Sequence, residues 1–398
     1  MKILHICYEY PPLGGGGGEA CRRIAEQTSK RGVSAVVLTS WFRGLPRVER
    51  RPNLEVHRLF CFRRRDYQST IFEMFLYLII ALPVAIWLQA SRRFDLVHVH
   101  FAVPCGPIGF VLHTLFRVKY IMTLQGGDVP SFVPAQTGRV FSLINGLTVP
   151  IWRNASRIFA VSAGLARMAE KDYPGVKIEV IPNGVDDVFF LHRPRDEHRE
   201  TVVVFVGRLA DQKQVDVLIL ALARLSERND WEAHIVGDGP LAAQLQELTR
   251  SEHLASRITF HGWLSQDGLL GVLAGADIFV LPSSAEGLPL AALEAMAAGL
   301  LVVGSDVTGI RDLVDHGKTG YLFPNRDVPA LAALLADLIS DRTTVRVVQG
   351  HAASEADRYR WSRIADAYLR AYNSEVPPAR ATCEGAVERR QRECRPQD

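Results

Sequence analysis

The residues best placed to do chemistry lie in VLPSSAEGLPLAALEAMAAGLLVVGS, residues 280–305. The pattern predicts a strand ending at Leu281, a loop carrying Glu286 and Gly287, and a helix over 289–298. Pro289 suits the first turn of that helix, where a missing N–H costs nothing. The helix start offers free N–H groups and positive dipole to an anion. Glu286, just before it, is placed to accept hydrogen bonds from hydroxyls. Glu294 sits more than a turn inside a helix that is otherwise almost wholly apolar, and a carboxylate there wants a partner. The plainer alternative is an acid at a helix start and a core glutamate paired with an arginine.

A second stretch, VVVFVGRLADQKQVD, sets Arg208 and Lys213 between a strand and a helix. Two cations at a strand's carboxyl end suit a diphosphate, Arg by its planar fork and Lys as a point charge. Lys and Arg are mostly exposed, so two surface charges would look the same.

The N-terminal MKILHICYEYPPLGGGGGEACRRIAEQ holds five consecutive glycines, residues 14–18, between an apolar run and a helix expected over 20–30. Glycine costs backbone entropy, so such a run implies close backbone approach, often to a phosphate. The run satisfies G-x-G-x-x-A, but the second strand ends LTSWFRG without the acid that a dinucleotide's ribose requires. Gly317-Lys318-Thr319 resembles the end of a P-loop, yet Asp312 occupies the required upstream glycine position, so a turn before a strand is expected there. In LVHVH, His98 and His100 share one strand face by alternation. His100 ends that strand, and strand ends face the cleft in doubly wound folds, which makes it the acceptor-side candidate; a structural histidine is the alternative for either.

These residues need a frame. The 398 residues favour two domains, and 48% hydrophobic with 22% charged residues is ordinary for a globular chain. Net charge is +3, but the first hundred residues carry 15 Lys and Arg against 8 Asp and Glu. A basic first lobe suits phosphorylated ligands or an anionic membrane surface; nucleic acid is not expected as a partner. Cys7, Cys21, Cys61, Cys105, Cys383 and Cys394 form no C-x-x-C pair, arguing against a zinc site or disulfide framework and for a reducing cytoplasm. The short N-terminal apolar run breaks at Pro11 and Pro12, unlike a signal peptide.

Strands are expected at 3–7, 33–39, 96–100, 120–124, 157–161 and 178–181, then at 202–206, 233–236, 257–260, 278–281 and 301–304, with helices between, notably 215–227, 241–251 and 266–273. Alternation of strand and helix implies parallel sheets. The expected architecture is α/β: a first Rossmann-like lobe over 1–184, completed by a C-terminal helix near 361–373, a polar linker at 185–200, and a second Rossmann-like lobe over 201–360. The Pro-, Arg- and Glu-rich residues 376–398 are expected to be disordered.

Taken in order, PPLGGGGGEA, DLVHVHFA, TLQGGD, VIPNGVD, GRL…K, VGDGPL, E-x7-E and GIRDLVDHGKTGYLF resemble the retaining glycosyltransferases of family four, with the GT-B fold of two facing Rossmann-like domains. The resemblance spans nearly the whole chain. It implies that Arg208 and Lys213 hold the diphosphate of a UDP- or GDP-linked sugar, that Glu294 bonds the ribose, and that Glu286, with Gly287 and Leu288, contacts the transferred sugar. Gly16 and Gly17 would close over the donor from the opposite lobe. His100 and Glu286 would be catalytic, with Gln125 and Asp128 on the acceptor side. Gln125 stands where many relatives have histidine, Gln214 where glycine often follows the lysine, and Leu301 where proline is common.

The activity implied is transfer to an acceptor hydroxyl with retention, in polysaccharide or glycolipid synthesis. No nucleophilic carboxylate is evident near His100, so front-face attack is favoured, with Arg208, Lys213 and the helix dipole stabilising the leaving diphosphate. Fixed cations in that role imply no metal, and no clustered metal ligands are read. The rivals are a GT-B sugar-nucleotide epimerase and a non-catalytic sugar-nucleotide-binding protein. Residues 71–88 form an apolar stretch flanked by Arg63, Arg64, Arg65, Arg92 and Arg93. Spanning would tear it from between two strands of one sheet. The alternatives are a helix buried in the first lobe or an interfacial helix, with Phe72, Phe75, Leu76, Ile79 and Trp87 in the lipid boundary and the protein peripheral at the inner face of the membrane.

Overall fold

The structure is a computed structural model that describes residues 1–65, 69–132, 146–190 and 200–376. Near-continuous apolar runs such as VVVFV and IFVL form strands buried on both faces, as parallel sheets require. The first sheet has eight strands in the order β3-β4-β2-β1-β5-β6-β7-β8. They are β1 (Lys2–Ile6), β2 (Ser34–Ser40), β3 (Val48–Arg51), β4 (Leu54–Leu59), β5 (Leu96–His100), β6 (Lys119–Leu124), β7 (Arg157–Ala160) and β8 (Ile178–Val180). The second has six, in the order β11-β10-β9-β12-β13-β14: β9 (Thr201–Val206), β10 (Trp231–Val236), β11 (Ile258–Gly262), β12 (Ile278–Leu281), β13 (Leu301–Ser305) and β14 (Gly320–Phe323). All described pairings are parallel except β3 with β4.

The helices are α1 (Gly16–Ser29), α2 (Ile71–Arg92), α3 (Ala102–Phe116), α4 (Ala163–Asp172), α5 (Val215–Ala223), α6 (Ala242–Ser251), α7 (Gln266–Gly275), α8 (Leu290–Ala297), α9 (Val328–Ser340), α10 (Arg342–Ala356) and α11 (Trp361–Glu375). Two expectations shift at the glycine run and at Pro289. The helix after the run begins at Gly16 rather than residue 20, so three of the five glycines form its first turn. Pro289 is the N-cap of α8 rather than part of its first turn.

Strands β3 and β4 and helix α9 are not among the elements expected from the sequence. The edge strand β3, VERR, is charged and mostly exposed, while β4, LEVHRL, alternates in burial but turns Arg58 inward and leaves Leu59 half-exposed. Helix α9 is capped by Asp327, whose carboxylate accepts from the Ala330 N–H at 2.9 Å.

The last helix returns to the first sheet. Ile364, Tyr368 and Tyr372 of α11 pack with Ile3, Leu96, Ile121 and Phe159 from its strands. The expected linker is partly pinned: Val185 exchanges backbone bonds with Tyr359 and Trp361, at 2.8 and 3.2 Å, and Asp187 pairs with Arg360. The rest of the linker, 191–199, and the tail from 377 lie outside the described residues.

Candidate active site

The carboxyl ends of β9 and β12 carry the expected cations and acid. Arg208 lies two residues past β9, half-buried, and Lys213 ends a 3-10 turn at Asp211–Lys213. That turn is tied to the loop after β12. The Gln212 carbonyl accepts from the Ser284 N–H at 2.8 Å, and Gln212 Nε2 donates to the Ala285 carbonyl at 2.6 Å. The tie sets Lys213 Nζ 2.5 Å from Glu286 Oε1, with the glutamate side chain only 10% exposed. Gln214 follows in the left-handed region at φ 47°, the conformation that would favour the glycine common in relatives.

The Glu286 loop touches the opposite lobe. A Cβ on Gly287 would lie 2.3 Å from the Gln125 carbonyl, so only glycine lets the two backbones approach. Leu288 is buried beside it. The glycine run closes the same junction from the first lobe. A Cβ on Gly17 would fall 2.3 Å from the Phe101 ring and 3.1 Å from Gln125 Cγ, and Gly16 faces Leu290 at the start of α8. Gly17 is therefore crowded by a ring and Gly18 by the Glu9 backbone, and Gly14 takes φ 83°, whereas a Cβ on Gly15 would meet nothing within 4 Å. Glu9, which the sequence reading did not single out, underlies the run: Oε2 accepts from the Gly15 N–H at 3.4 Å. A 260 Å³ cavity opens beside the loop, between Phe132 and Met168 of the first lobe and Ser284, Asp306, Thr308 and Arg311 of the second. Arg208, Lys213 and Glu294 do not line it.

Glu294 sits in different company. Burial first, and then the neighbouring Glu19 and Asp186 carboxylates, push its carboxyl up to about 8, with Arg23 opposing them. Arg23 Nε donates to Glu19 at 2.8 Å and the same guanidinium pairs with Asp186. Glu19, Arg22, Arg23 and Glu26 repeat at helical three- and four-residue spacing on α1, a pattern visible in the sequence and not used there.

On the acceptor side the structure corrects two expectations. His100 does not face the cleft; it is fully buried, with Nε2 3.1 Å from His5 Nδ1. Alternation puts it on the same face as His98, toward α11, whereas Phe101 beyond it turns toward the glycine run at φ 73°. His98 is held by the Tyr372 and Thr123 hydroxyls, both at 2.8 Å. Burial depresses all three imidazoles, His5 to about 3, so they are neutral.

Asp128 is also not open to an acceptor. Its Oδ1 accepts from the Gln125 and Gly126 N–H groups at 3.0 and 2.9 Å, and its Oδ2 from the Ala102 N–H at 2.9 Å. Burial raises its pKa against those three bonds. It positions the loop that carries Gln125. Gln125 itself does reach the junction: Oε1 accepts from Asn183 at 3.2 Å, and Nε2 is buried without a partner among the described residues.

The parallel pairing of β1 with β5 sets His5 opposite His98, and so gathers a His5, His98 and His100 cluster that the sequence reading did not anticipate. Each offers a ring nitrogen within 4.8 Å of the others. Both nitrogens of His98 are already engaged by hydroxyls, and the rings have no exposed surface. The cluster is a buried core beneath α11, joined to it by the His98–Tyr372 bond, with His5 Nε2 and His100 Nδ1 without a partner among the described residues. Gly317-Lys318-Thr319 forms the expected turn before β14, with the Gly317 N–H donating to the Gly320 carbonyl at 2.8 Å.

Comparison with known proteins agrees with this geometry. Residues 14–189 match the family model "Glycosyltransferase Family 4", and residues 200–341 match "Glycosyl transferases group 1". The chain is 30% identical to the 2-deoxystreptamine N-acetyl-D-glucosaminyltransferase of Streptomyces fradiae, over 80% of this chain and 81% of that protein. Among solved structures, the sucrose-phosphate synthase of Thermosynechococcus elongatus superposes with a TM-score of 0.83 at 22% identity, covering 94% of this chain and 98% of that one. Anabaena HepE, solved in complex with UDP-glucose, superposes at 0.74 and 22% identity, covering 94% and 100%. With two facing α/β lobes and matching models over both, the chain belongs to glycosyltransferase family 4 and has the GT-B fold.

Proposed function

We propose that this glycosyltransferase moves a hexosyl unit from a UDP- or GDP-linked donor to a hydroxyl of a glycan or glycolipid acceptor, with retention at the anomeric carbon. One observation carries the reading. The turn at 210–213 and the loop at 284–288 are bonded together so that a cation and a carboxylate meet where Gly287 touches the opposite lobe. Nucleotide-sugar chemistry needs that pairing: a cation for the diphosphate and an acceptor of hydrogen bonds for the sugar. The complex of HepE with UDP-glucose, on the same fold, supports this class of donor.

In this reading Arg208 and Lys213 neutralise the diphosphate as the anomeric C–O bond breaks and the nucleotide leaves with the electron pair. The acceptor oxygen forms the new bond on the same face, and its proton passes to the departing phosphate oxygen. Charge developing on the leaving group is what fixed cations stabilise best. Asp128 is engaged by three backbone N–H groups, so it is not available as a nucleophile for double displacement. Glu286 orients the sugar and Glu294 the ribose. With two side-chain cations on the diphosphate, a metal has no assigned task.

The test is a panel of nucleotide sugars read by released nucleotide and by the anomeric configuration of the product, with and without excess chelator. A retained product formed equally well with chelator is expected. An inverted product, a free epimerised donor, or loss of activity restored by a divalent ion would overturn the corresponding part.

A further inference from the structure

Helix α2 is long and apolar enough, by length and composition, to cross a membrane. The structure shows why it does not and what it does offer. One face is committed to the lobe. Tyr77, Ala81, Ala85 and Leu88 are buried, and Tyr77 Oη donates to the Leu38 carbonyl at 2.8 Å. Glu73 is not a charge on the outer surface; it is consumed by the helix start. Its Oε2 accepts from the Thr70 N–H at 2.7 Å and its Oε1 from the Arg64 N–H at 2.8 Å.

The other face is an uninterrupted apolar stripe. Phe72 (66% exposed), Phe75, Ile79 and Trp87 (62%) recur at three-, four- and eight-residue steps, with exposed Pro83 between the last two. Fifteen residues separate Phe72 from Trp87, so the stripe runs about 22 Å. Residues 74–91 contain no charged side chain at all. Helices that only pack against a soluble core carry polar residues on the outer face.

The stripe has a direction and a rim. Tyr77 meets the carboxyl half of β2, while Arg92 Nη1 reaches Glu55 near the start of β4 at 2.9 Å. The helix therefore runs antiparallel to those strands, with Phe72 and Phe75 at the end of the lobe where the sheet's carboxyl edge forms the cleft. Phe60 and Phe62, which follow β4 at that edge, are exposed as well, their rings 4.5 Å apart. Exposed Arg64 lies beside the first turn of the helix and exposed Arg93 caps its last. Two of the expected headgroup arginines are spent otherwise: Arg63 is buried 3.5 Å from Glu9, and Arg92 pairs with Glu55. Leu76 is only half-exposed.

We propose that this flank docks on an anionic lipid surface. Phe60, Phe62, Phe72, Phe75, Ile79 and Trp87 enter the headgroup–acyl boundary, and Arg64 and Arg93 meet anionic headgroups at the two ends. Pro83 lacks the N–H that would bond the Ile79 carbonyl, and water at a hydrated interface can supply that carbonyl with a partner. The helix lies flat and shallow. Docked this way, the cleft opens at the bilayer edge, so the acceptor is a lipid-linked hydroxyl compound. That last clause rests on the sugar-transfer reading; the docking does not.

The test is co-sedimentation of the full chain with vesicles of phosphatidylcholine alone and of phosphatidylcholine with phosphatidylglycerol, at low and high salt. Partition onto the anionic vesicles is expected, weakening with salt, with Trp87 emission shifting to shorter wavelength. Joint Phe72→Ser, Phe75→Ser and Ile79→Ser changes, all at exposed positions, should lower the partition at least about tenfold while thermal unfolding is unchanged. Absence of pelleting, or pelleting indifferent to those changes, overturns the proposal. So does self-association in ultracentrifugation that the serines abolish in the absence of vesicle binding, since a second copy would then be the occupant. Equal partition onto neutral vesicles overturns the role of the arginines. Calorimetry with UDP and GDP separates the two readings: binding to vesicles without binding of either nucleotide would remove the donor assignment and leave the docking surface standing.

Discussion

The strand ends of the two lobes hold similar polar residues and put them to opposite uses. In the second lobe, Lys213 and Glu286 project from loops beyond β9 and β12, paired at 2.5 Å where the lobes meet. In the first, His100 and Asp128 lie at or beyond β5 and β6, yet the fold consumes both, one in the histidine core under α11 and the other by three backbone N–H groups. The difference lies in where the side chain lands. A residue within a strand inherits the face its register dictates, whereas a residue beyond the strand is aimed by its loop. Being near a strand end is therefore weak evidence for a catalytic role, and so is a loop position alone, since Asp128 lies in a loop whose backbone takes up its carboxylate. A side chain left at the junction of the lobes, as Glu286 is, is stronger evidence.

The contrast is sharpest at Glu286. Glu286→Gln keeps the shape and loses the charge, and turnover should fall by about 10²–10³ if the carboxylate acts on the transferring sugar. Affinity for the free nucleotide diphosphate should change far less. Equal losses in both would move Glu286 from the sugar to the nucleotide.

Lys213→Ala should weaken donor binding by about 1.5–3 kcal/mol, read by calorimetry. It also strands a nearly buried Glu286, so stability should drop by about 1–3 kcal/mol. Adding Glu286→Ala should restore part of that stability and none of the donor affinity. A double variant no more stable than Lys213→Ala would mean that the pair is not coupled.

On the first lobe, Asp128→Asn presents an amide N–H to at least one N–H donor and should cost about 1–3 kcal/mol of stability, read by denaturant unfolding. Its effect on nucleotide affinity should be small. A variant of unchanged stability with turnover lost would return Asp128 to the reacting atoms and break the contrast.

A last contrast concerns pH. The folded Glu294 carboxyl stands at about 8, whereas the unfolded chain has the ordinary value of 4.5. Between those values the folded state holds a proton that the unfolded state releases, so stability falls as pH rises through the window. Glu294→Gln removes that dependence. Its melting point should match the wild type near pH 5 and exceed it near pH 9, within about a few degrees. A gap that does not widen with pH would mean that burial and the Glu19 and Asp186 carboxylates do not keep this carboxyl protonated.

Much of the fold was legible because parallel strands buried on both faces leave apolar runs that need no context. Residues 278–281 and 96–100 match β12 and β5 as read. The edge strand β3 was not legible, since its exposed VERR carries charge instead of alternation. The ordered motifs identified the family. The resemblance implied that Lys213 and Glu286 serve one donor site, but their direct pairing was not legible, because 73 residues separate them and no local pattern says which loops touch.

The sequence by itself determined two α/β lobes, the glycine run, the apolar helix and the set of charged residues available for a donor. These follow from local chemistry: backbone freedom, hydrophobic period and charge. Only the tertiary structure decided which way each side chain faces. Register between β1 and β5 sets His5 opposite His98 and, with alternation along β5, turned His100 inward. The return of α11 to the first sheet gave His98 the Tyr372 hydroxyl as a partner. Packing of one face of α2 left the other bare. Each of these depends on contacts between residues far apart in the chain, and local propensity carries no term for them.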